Sequence, residues 1–234
     1  MIYSSYKIIL LIIFFLFSIS NSWASGETPH DPKSIIKELN KRYESVETYA
    51  DLGVITNPYF TVAFETFYIK PTHFALKWNT TLKNKNSKSD ESQCIQYRLI
   101  SKGKEALVEK AKSCNGKYSK KESMSLKNAL IKTTGVSYGL VKFIPSLLMD
   151  DVPGKKITSM PFKVLYDGEE MGSSQYLIIE SEAIPGRSIK LFIDNKSNTI
   201  KRINDKYPDG TVNEIIFDKV SINKEIDPVV FLEK

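Results

Sequence analysis

The sequence predicts an α+β fold in which one strongly curved antiparallel sheet, an incomplete β-barrel, has helices covering its concave face. Three observations predict this fold. Aromatic residues alternate along the stretch from Tyr49 to Trp78, strand-like segments with short turns follow residue 162, and apolar residues recur at helical spacing near residue 35 and between residues 126 and 144. Because short turns join antiparallel neighbours, the strands form one meandering sheet that amphipathic helices can cover.

The aromatic stretch supplies two of the predicted strands. Over residues 62–69 apolar side chains fall on both sides of an extended chain, since side chains alternate faces with a period of two. Beyond Pro71 the alternation resumes, with Phe74, Leu76 and Trp78 on one face. A sheet with this much aromatic surface needs a cover, and an apolar ligand fits wherever the cover leaves space.

The first residues have the composition of a signal peptide. Lys7 precedes an unbroken apolar run over residues 8–17. Ser22 and Ala24 are small residues at the two positions that a signal peptidase recognises, so cleavage is expected after Ala24. The run is shorter than the roughly twenty apolar residues that span a membrane. We therefore expect a signal peptide over residues 1–24 and a single domain over residues 25–234 that is periplasmic or otherwise exported, and soluble after cleavage.

The charge of the chain narrows the classes of partner. The formal net charge is +6, and the excess is scattered. Lysine clusters of this kind are typical of solvated loops, and attraction to anionic lipid head groups is the functional alternative. Nucleic acid is not expected as a partner of an exported chain without a recognisable binding motif. The clusters are Lys83, Lys85 and Lys88, and Lys117, Lys120 and Lys121.

Two cysteines, Cys94 and Cys114, are present, and in an oxidising compartment two cysteines usually pair. Folding residues 93–113 as a hairpin about residues 102–104 brings the two cysteines opposite one another. We therefore predict a disulfide between them, in preference to a metal site or a reactive thiol. A bridge that closes a loop of this length stabilises the fold by about 3 kcal/mol.

Helical spacing occurs in two places. The pair Asp31-Pro32 is a good helix start, and apolar residues over 35–46 predict an amphipathic helix of about a dozen residues that lies across the sheet. In mid-chain, two short apolar helices are predicted on either side of Gly135, the second of them broken at Pro145. We predict that these two helices, within residues 123–149, form a lid.

A meander of five strands is predicted for the second half of the chain, because turn-forming residues separate short apolar runs. The predicted strands are residues 162–166, 175–180, 188–194, 199–205 and 213–220. The predicted turns are Asp167-Gly168, Pro185-Gly186, residues 195–198 and residues 208–210.

Residues suited to catalysis are scarce. His30 follows the leader and His73 lies beside Pro71 on a strand, so a histidine-based triad has at most one candidate base, and no serine lies in a nucleophile-elbow motif. Neighbouring carboxylates at residues 150–151 and 169–170 point in different directions, which favours turn residues over a general acid/base pair. No set of residues has metal-ligand spacing and no glycine-rich phosphate loop is present. We therefore predict no enzymatic activity, no metal and no cofactor.

Short motifs spread over most of the chain point to one family. The motifs are KPTHF at 70–74, TTGVSYG at 133–139, IPSLL at 144–148, ID at 193–194 followed by IKRI at 200–203, and IDPVVF at 226–231. Together with the leader, the N-terminal helix and the strand meander, this layout resembles the periplasmic outer-membrane lipoprotein carrier (LolA-like) superfamily. The mid-chain motifs look more like an exported branch of that superfamily than like the carrier itself.

The resemblance implies a half-barrel, closed by helices, that shields an acyl chain in an apolar cavity. It also implies that Lys70 takes the place of the carrier's basic residue before proline and contacts the lid by hydrogen bonds. Lysine lacks the planar fork of an arginine, which changes how it would hold the lid. The candidate cavity and lid residues are Phe64, Phe74, Leu76, Trp78, Leu140, Ile144, Leu147 and Leu148.

The leading hypothesis is an exported, non-catalytic carrier-like protein, acting as a monomer, that binds a lipid or an acylated protein. The first alternative is an interaction or regulatory module on the same fold, which contacts an envelope protein partner through sheet edges and basic loops. The second alternative is a hydrolase of an envelope lipid, in which Ser174 or carboxylates converge with His73 in one cleft.

Overall fold

The first and last strands of the described residues, β1 (Thr48–Thr56) and β11 (Val212–Ile222), pair with each other at the centre of an eleven-stranded antiparallel sheet. The computed structural model describes residues 31–71, 73–83, 94–114, 116–137, 140–149, 159–171 and 174–232, without the side chains of residues 140–142, 166–171, 174–175 and 183–184. The sheet and the helices that pack on it belong to one unit, residues 32–234.

Each half of the chain builds one side of the sheet, and every neighbouring pair of strands is antiparallel. From β1 the sheet continues outward in sequence order through β2 (Phe60–Ile69), β3 (His73–Leu82), β4 (Cys94–Lys102), β5 (Glu105–Ala111) and β6 (Lys120–Ser125). From β11 it continues through β10 (Thr199–Lys206), β9 (Arg187–Asp194), β8 (Ser174–Ile184) and β7 (Lys163–Met171). Since β6 and β7 are the two edges, the sheet is an open barrel.

Three α-helices among the described residues cover one face of this sheet. α1 (Pro32–Glu44) precedes β1, while α2 (Leu126–Thr133) and α3 (Leu140–Leu148) connect the edge strands β6 and β7. We call the sheet face that carries Phe64 and Leu76 the inner face and the opposite face the outer face. Buried side chains from all three helices join those of the inner face in a single apolar cluster. The predicted α+β fold, an incomplete barrel with helices over one face, is confirmed.

The amphipathic pattern of α1 explains how it lies on the sheet. Ile35, Leu39 and Tyr43 recur at helical spacing and are all buried, as is Val46 just beyond the helix. The helix spans 13 residues, so the predicted length of about a dozen is confirmed.

Gly53 permits a close approach that the inner face requires. It lies where the register between β1 and β11 shifts, and its Cα faces the ring of Phe64. A Cβ at this position would lie 2.3 Å from the carbonyl oxygen of Ile216 and 2.5 Å from Cζ of Phe64. Glycine is therefore what lets the Phe64 ring pack over β1.

The C-terminal segment covers part of the outer face. A 3-10 helix, Pro228–Phe231, follows the last strand and is capped by the Asp227 side chain, which accepts a hydrogen bond from the Val229 amide. Phe231 is buried against Ala75 and Ile100, forming a second, smaller apolar cluster. Strands β3 and β4 are therefore covered on both faces.

The prediction that Pro145 breaks the second lid helix is wrong. Proline removes one hydrogen-bond donor, yet α3 continues to Leu148 with Pro145 inside it. The next turn is intact, since the Met149 amide donates to the Pro145 carbonyl at 2.9 Å. Ile144, Leu147 and Leu148 are buried in the core on either side of the proline, and this packing outweighs the lost hydrogen bond.

Two further predictions of turns and loops are wrong. Lys120 and Lys121 lie in the edge strand β6 rather than in a solvated loop, and their charges pair with Glu122 at 2.8 Å and Glu109 at 3.1 Å. Residues 167–170 lie within β7 rather than in a turn, with register shifts on both sides of Asp167. Ladder hydrogen bonds to β8 explain this extension. The other neighbouring carboxylates that were predicted to be turn residues, at positions 150–151, lie outside the described residues.

Candidate functional site

Seven of the eight candidate cavity residues meet on the inner face. Strands β2 and β3 supply one side and α3 supplies the other, and all seven belong to one apolar cluster. None exposes more than 8% of its surface, so in this structure they are packed as core. The seven residues are Phe64, Phe74, Leu76, Trp78, Ile144, Leu147 and Leu148; the side chain of Leu140 lies outside the described ones.

Trp78 connects the sheet to the helices of the predicted lid. Its ring stacks on Tyr97 of β4, with centroids 5.1 Å apart and planes inclined by 10°. Its indole Nε1 donates a hydrogen bond of 3.1 Å to the carbonyl of Val136, between α2 and α3. A buried tryptophan needs such a partner, and here the partner fixes the turn between the two helices on the sheet.

An open groove of about 770 Å³ lies beside this core, between α1 and the segment that leads into β7. We call it the α1 groove. Its volume is within the range of sites that hold small ligands. The residues that line it are Pro32, Lys33, Ile36, Lys37, Asn40, Lys41, Glu44, Ser159, Met160, Pro161 and Phe162.

The floor of the α1 groove is apolar and continuous with the core. Ile36, Met160 and Phe162 are half-buried, and each packs against the main apolar cluster. Ile36 lies on the flank of α1, next to the buried stripe that contains Leu39. An apolar ligand in the groove would therefore rest on side chains that already contact the interior of the half-barrel.

One side of the α1 groove is basic. Lys33, Lys37 and Lys41 line it and are exposed. Residues spaced by four lie above one another on a helix, so the three ammonium groups form a row along α1. Glu44 is the acidic residue of the lining.

A polar group is buried in the apolar interior under α1. Asp51 projects from β1 onto the inner face, where it accepts a hydrogen bond of 2.7 Å from the Tyr49 hydroxyl and one of 3.1 Å from the Thr66 amide. Burial raises the pKa of Asp51 to about 7, against the lowering effect of these hydrogen bonds. Burial also raises the pKa of Tyr49.

Two contacts fasten α1 to the sheet. The Tyr43 hydroxyl accepts a hydrogen bond of 3.2 Å from the Ile200 amide of β10. Lys70 Nζ donates to the Glu44 carbonyl, at the end of α1, at 3.2 Å and lies 3.4 Å from Glu47 Oε1. These described contacts of Lys70 join the sheet to α1, while its predicted role as a contact of the lid over residues 123–149 stays a prediction.

Cys94 and Cys114 are joined by a disulfide, with their Cα atoms 5.5 Å apart. Cys94 opens β4, whereas Cys114 lies in a turn just beyond β5. The bridge therefore fastens the open end of the β4–β5 hairpin.

His73, the candidate base, is not among the residues that line the α1 groove. The His73 ring packs edge-on against Phe231, with centroids 5.7 Å apart, at the outer face. His30 lies outside the described residues, and the side chain of Ser174 is not among the described ones. Within the described part of the chain, no three His, Cys, Asp or Glu residues converge on a metal site.

No helix among the described residues is both long and apolar enough to cross a membrane.

Sequence reasoning missed the α1 groove and the buried carboxylate. The lysines at positions 33, 37 and 41 were visible as a row with four-residue spacing on an amphipathic helix. Asp51 was visible as a carboxylate two residues from Tyr49, and thus on the same face of a strand. The position of Met160 and Phe162 beside α1 is a long-range contact that leaves no local signal.

No protein-family profile matches the chain, and no curated protein matches it either. Solved structures do align with it. The structure of LprF from Mycobacterium bovis has a TM-score of 0.48 at 10% identity, over 84% of this chain and 94% of that one. The Pseudomonas aeruginosa MucA/MucB complex gives 0.47 at 7% identity, over 88% of this chain and 62% of the matched chain.

A third solved structure is a LolA superfamily protein from Nitrosomonas europaea. It has a TM-score of 0.31 at 10% identity, over 87% of this chain and 98% of that one. All three TM-scores are below 0.5.

Proposed function

We propose that this chain is an exported, non-catalytic protein that binds acyl chains of a lipid or an acylated protein, and that the α1 groove is where they enter. The observation that carries the proposal is the groove itself. It is open, its volume is about 770 Å³, and its apolar floor of Ile36, Met160 and Phe162 packs against the half-barrel core.

The hydrophobic effect supplies enough affinity for such a ligand. Each methylene removed from water contributes roughly 0.8 kcal/mol, so a segment of six methylenes contributes roughly 5 kcal/mol before the costs of association are subtracted. The ligand needs no covalent chemistry and no cofactor to be held.

Displacement of α1 would enlarge the site. Its polar attachments to the sheet include the Tyr43 contact with Ile200 and the contacts of Lys70. These are ordinary hydrogen bonds, each worth about 1 kcal/mol, whereas the apolar stripe of α1 provides most of its attachment. An acyl chain that replaces this stripe on the inner face would compensate for the apolar contacts that α1 loses.

The test is whether lipid co-purifies with the protein. The protein, expressed from the full-length chain and purified without detergent, is extracted with organic solvent and the extract is analysed by mass spectrometry. We expect stoichiometric lipid in the wild type and its loss in Phe162→Glu, because a carboxylate in the groove floor opposes an acyl chain. Leu52→Glu is the matched control, since Leu52 is 41% exposed on β1 and lies outside the groove.

A second candidate function is a protein-interaction module of the envelope. The observation that favours it is the burial of the seven described candidate cavity residues, which are packed as core. A well-folded wild type that carries no lipid and takes up none from solution would support this candidate and contradict acyl-chain binding.

A further inference from the structure

The lysine row of α1 lies along the apolar floor of the α1 groove, so the groove combines two surfaces of different chemistry. Lys33, Lys37 and Lys41 are exposed at its edge, while Phe162 and Met160 are half-buried below them. Lysine side chains place a charge at the water-exposed rim of an apolar surface because their stems are apolar and their ends are hydrated.

We infer that the occupant of the α1 groove is a single anionic phospholipid molecule, with its acyl chain on the apolar floor and its phosphate headgroup on the lysine row. The inference rests on the proposed function and adds the headgroup class. The lining of the groove contains three lysines and one carboxylate, Glu44, so the net charge of these residues is positive and complements an anion. A zwitterionic headgroup is attracted less strongly to the lysine row, since its own cation is repelled by the same lysines.

The position of the row also sets the direction in which the lipid lies. The three lysines follow the helix axis at a rise of about 1.5 Å per residue, so the row extends over about 12 Å. Glu44 lies at its C-terminal end. The phosphate therefore lies toward the Lys37 part of the row, away from Glu44, and the acyl chain points toward Met160 and Phe162.

The test compares two short-chain lipids below their micelle concentration, phosphatidylglycerol and phosphatidylcholine with the same acyl chains. Binding is measured by calorimetry with the protein expressed from the full-length chain. We expect phosphatidylglycerol to bind about tenfold more tightly, the size of effect that two or three surface charge contacts give. Added salt should reduce this preference, because exposed charges are screened.

The deciding variant is Lys37→Glu/Lys41→Glu, which should abolish the preference for phosphatidylglycerol over phosphatidylcholine when both lipids are measured on the same variant. The control is Lys206→Glu/Lys219→Glu, with the same change in net charge at two exposed lysines outside the groove lining. This control should keep most of the preference for phosphatidylglycerol over phosphatidylcholine.

Each other outcome has a distinct meaning. Equal affinity for both lipids, lost in Phe162→Glu, would overturn the headgroup inference and leave the proposed function standing. Binding of neither lipid by folded protein would overturn both. Binding to phosphatidylglycerol vesicles without binding of the monomeric lipid would overturn the inference in favour of contact with a membrane surface.

Discussion

The hydroxyl of Tyr49 donates a hydrogen bond of 2.7 Å to the carboxylate of Asp51, and both residues are buried on the inner face of the half-barrel. They lie two residues apart on β1, so the strand itself places them side by side. The Thr66 amide of β2 also donates a hydrogen bond to this carboxylate. Asp51 is therefore an ionisable group in the apolar interior of the proposed binding fold.

The Asp51 carboxyl makes stability depend on pH. Burial raises its pKa from 3.8 to about 7, so the folded protein holds this proton more tightly than the unfolded chain does. The contribution is fully present below pH 3.8 and is lost as the pH rises through 7. From pH 5 to pH 8 we expect the free energy of unfolding to fall by about 2–3 kcal/mol through this group, measured by urea denaturation.

Asp51→Asn should remove this fall, because asparagine has nearly the same shape and does not titrate. Its amide oxygen can still accept from Thr66, and its amino group can donate to the Tyr49 hydroxyl. Asp218→Asn, at an exposed position of β11, is the control and should keep the wild-type dependence. Equal slopes in Asp51→Asn and the wild type would contradict the assignment.

Gly53→Ala should destabilise the fold by about 2 kcal/mol or more, because the added Cβ would lie far inside the contact distance of the Ile216 carbonyl oxygen. Strand backbone cannot move away without loss of ladder hydrogen bonds. Chemical denaturation measures the change. Gly135→Ala is the comparison, since a Cβ there meets nothing within 4 Å, and it should change stability by less than about 0.5 kcal/mol.

Reduction of the Cys94–Cys114 disulfide should lower the free energy of unfolding by about 3 kcal/mol. The bridge joins cysteines 20 positions apart and restricts the unfolded chain. Urea denaturation with and without a reductant measures the effect. Cys94→Ser/Cys114→Ser should match the reduced protein and should not respond to the reductant; a response from this variant would show that the reductant acts elsewhere.

Phe231→Ala should cost about 3 kcal/mol of stability, because a buried aromatic ring is removed from the outer-face cluster with Ala75 and Ile100. Val229→Ala, in the same 3-10 helix, should cost less than about 0.5 kcal/mol, since Val229 is 48% exposed. Thermal denaturation of the two variants is the measurement. Similar losses in both would show that the segment does not anchor through its phenylalanine.

Most of the sheet could be predicted from sequence because its strands alternate apolar and polar residues. β6 could not, since its residues, KKESMS, lack that alternation. Edge strands of this kind carry charges that discourage pairing with other chains. The extension of β7 across Gly168 depends on pairing with β8, the next strand of the same hairpin, and this ladder overrides the local preference of glycine for turns.

The residues of the inner face could be identified from the sequence, but the position of the open space could not. Phe74, Leu76 and Trp78 were placed on one face by their spacing. Whether such residues line a cavity or fill a core depends on how three helices pack over them, and no local pattern encodes that. The α1 groove forms because residues 159–162 lie beside a helix that is more than a hundred positions earlier in the chain.

The pairing of β1 with β11 means that the middle of the sheet is the last part that can be completed. A chain is made from its N-terminus, so residues 48–125 are present long before Val212–Ile222 can pair with them. Until then β1 has an unpaired edge, and an open strand edge attracts other chains. Contacts of such large sequence separation also form slowly. The newly made chain therefore depends on its last strand for protection from aggregation, and a truncation before residue 212 would leave both halves of the sheet with open edges.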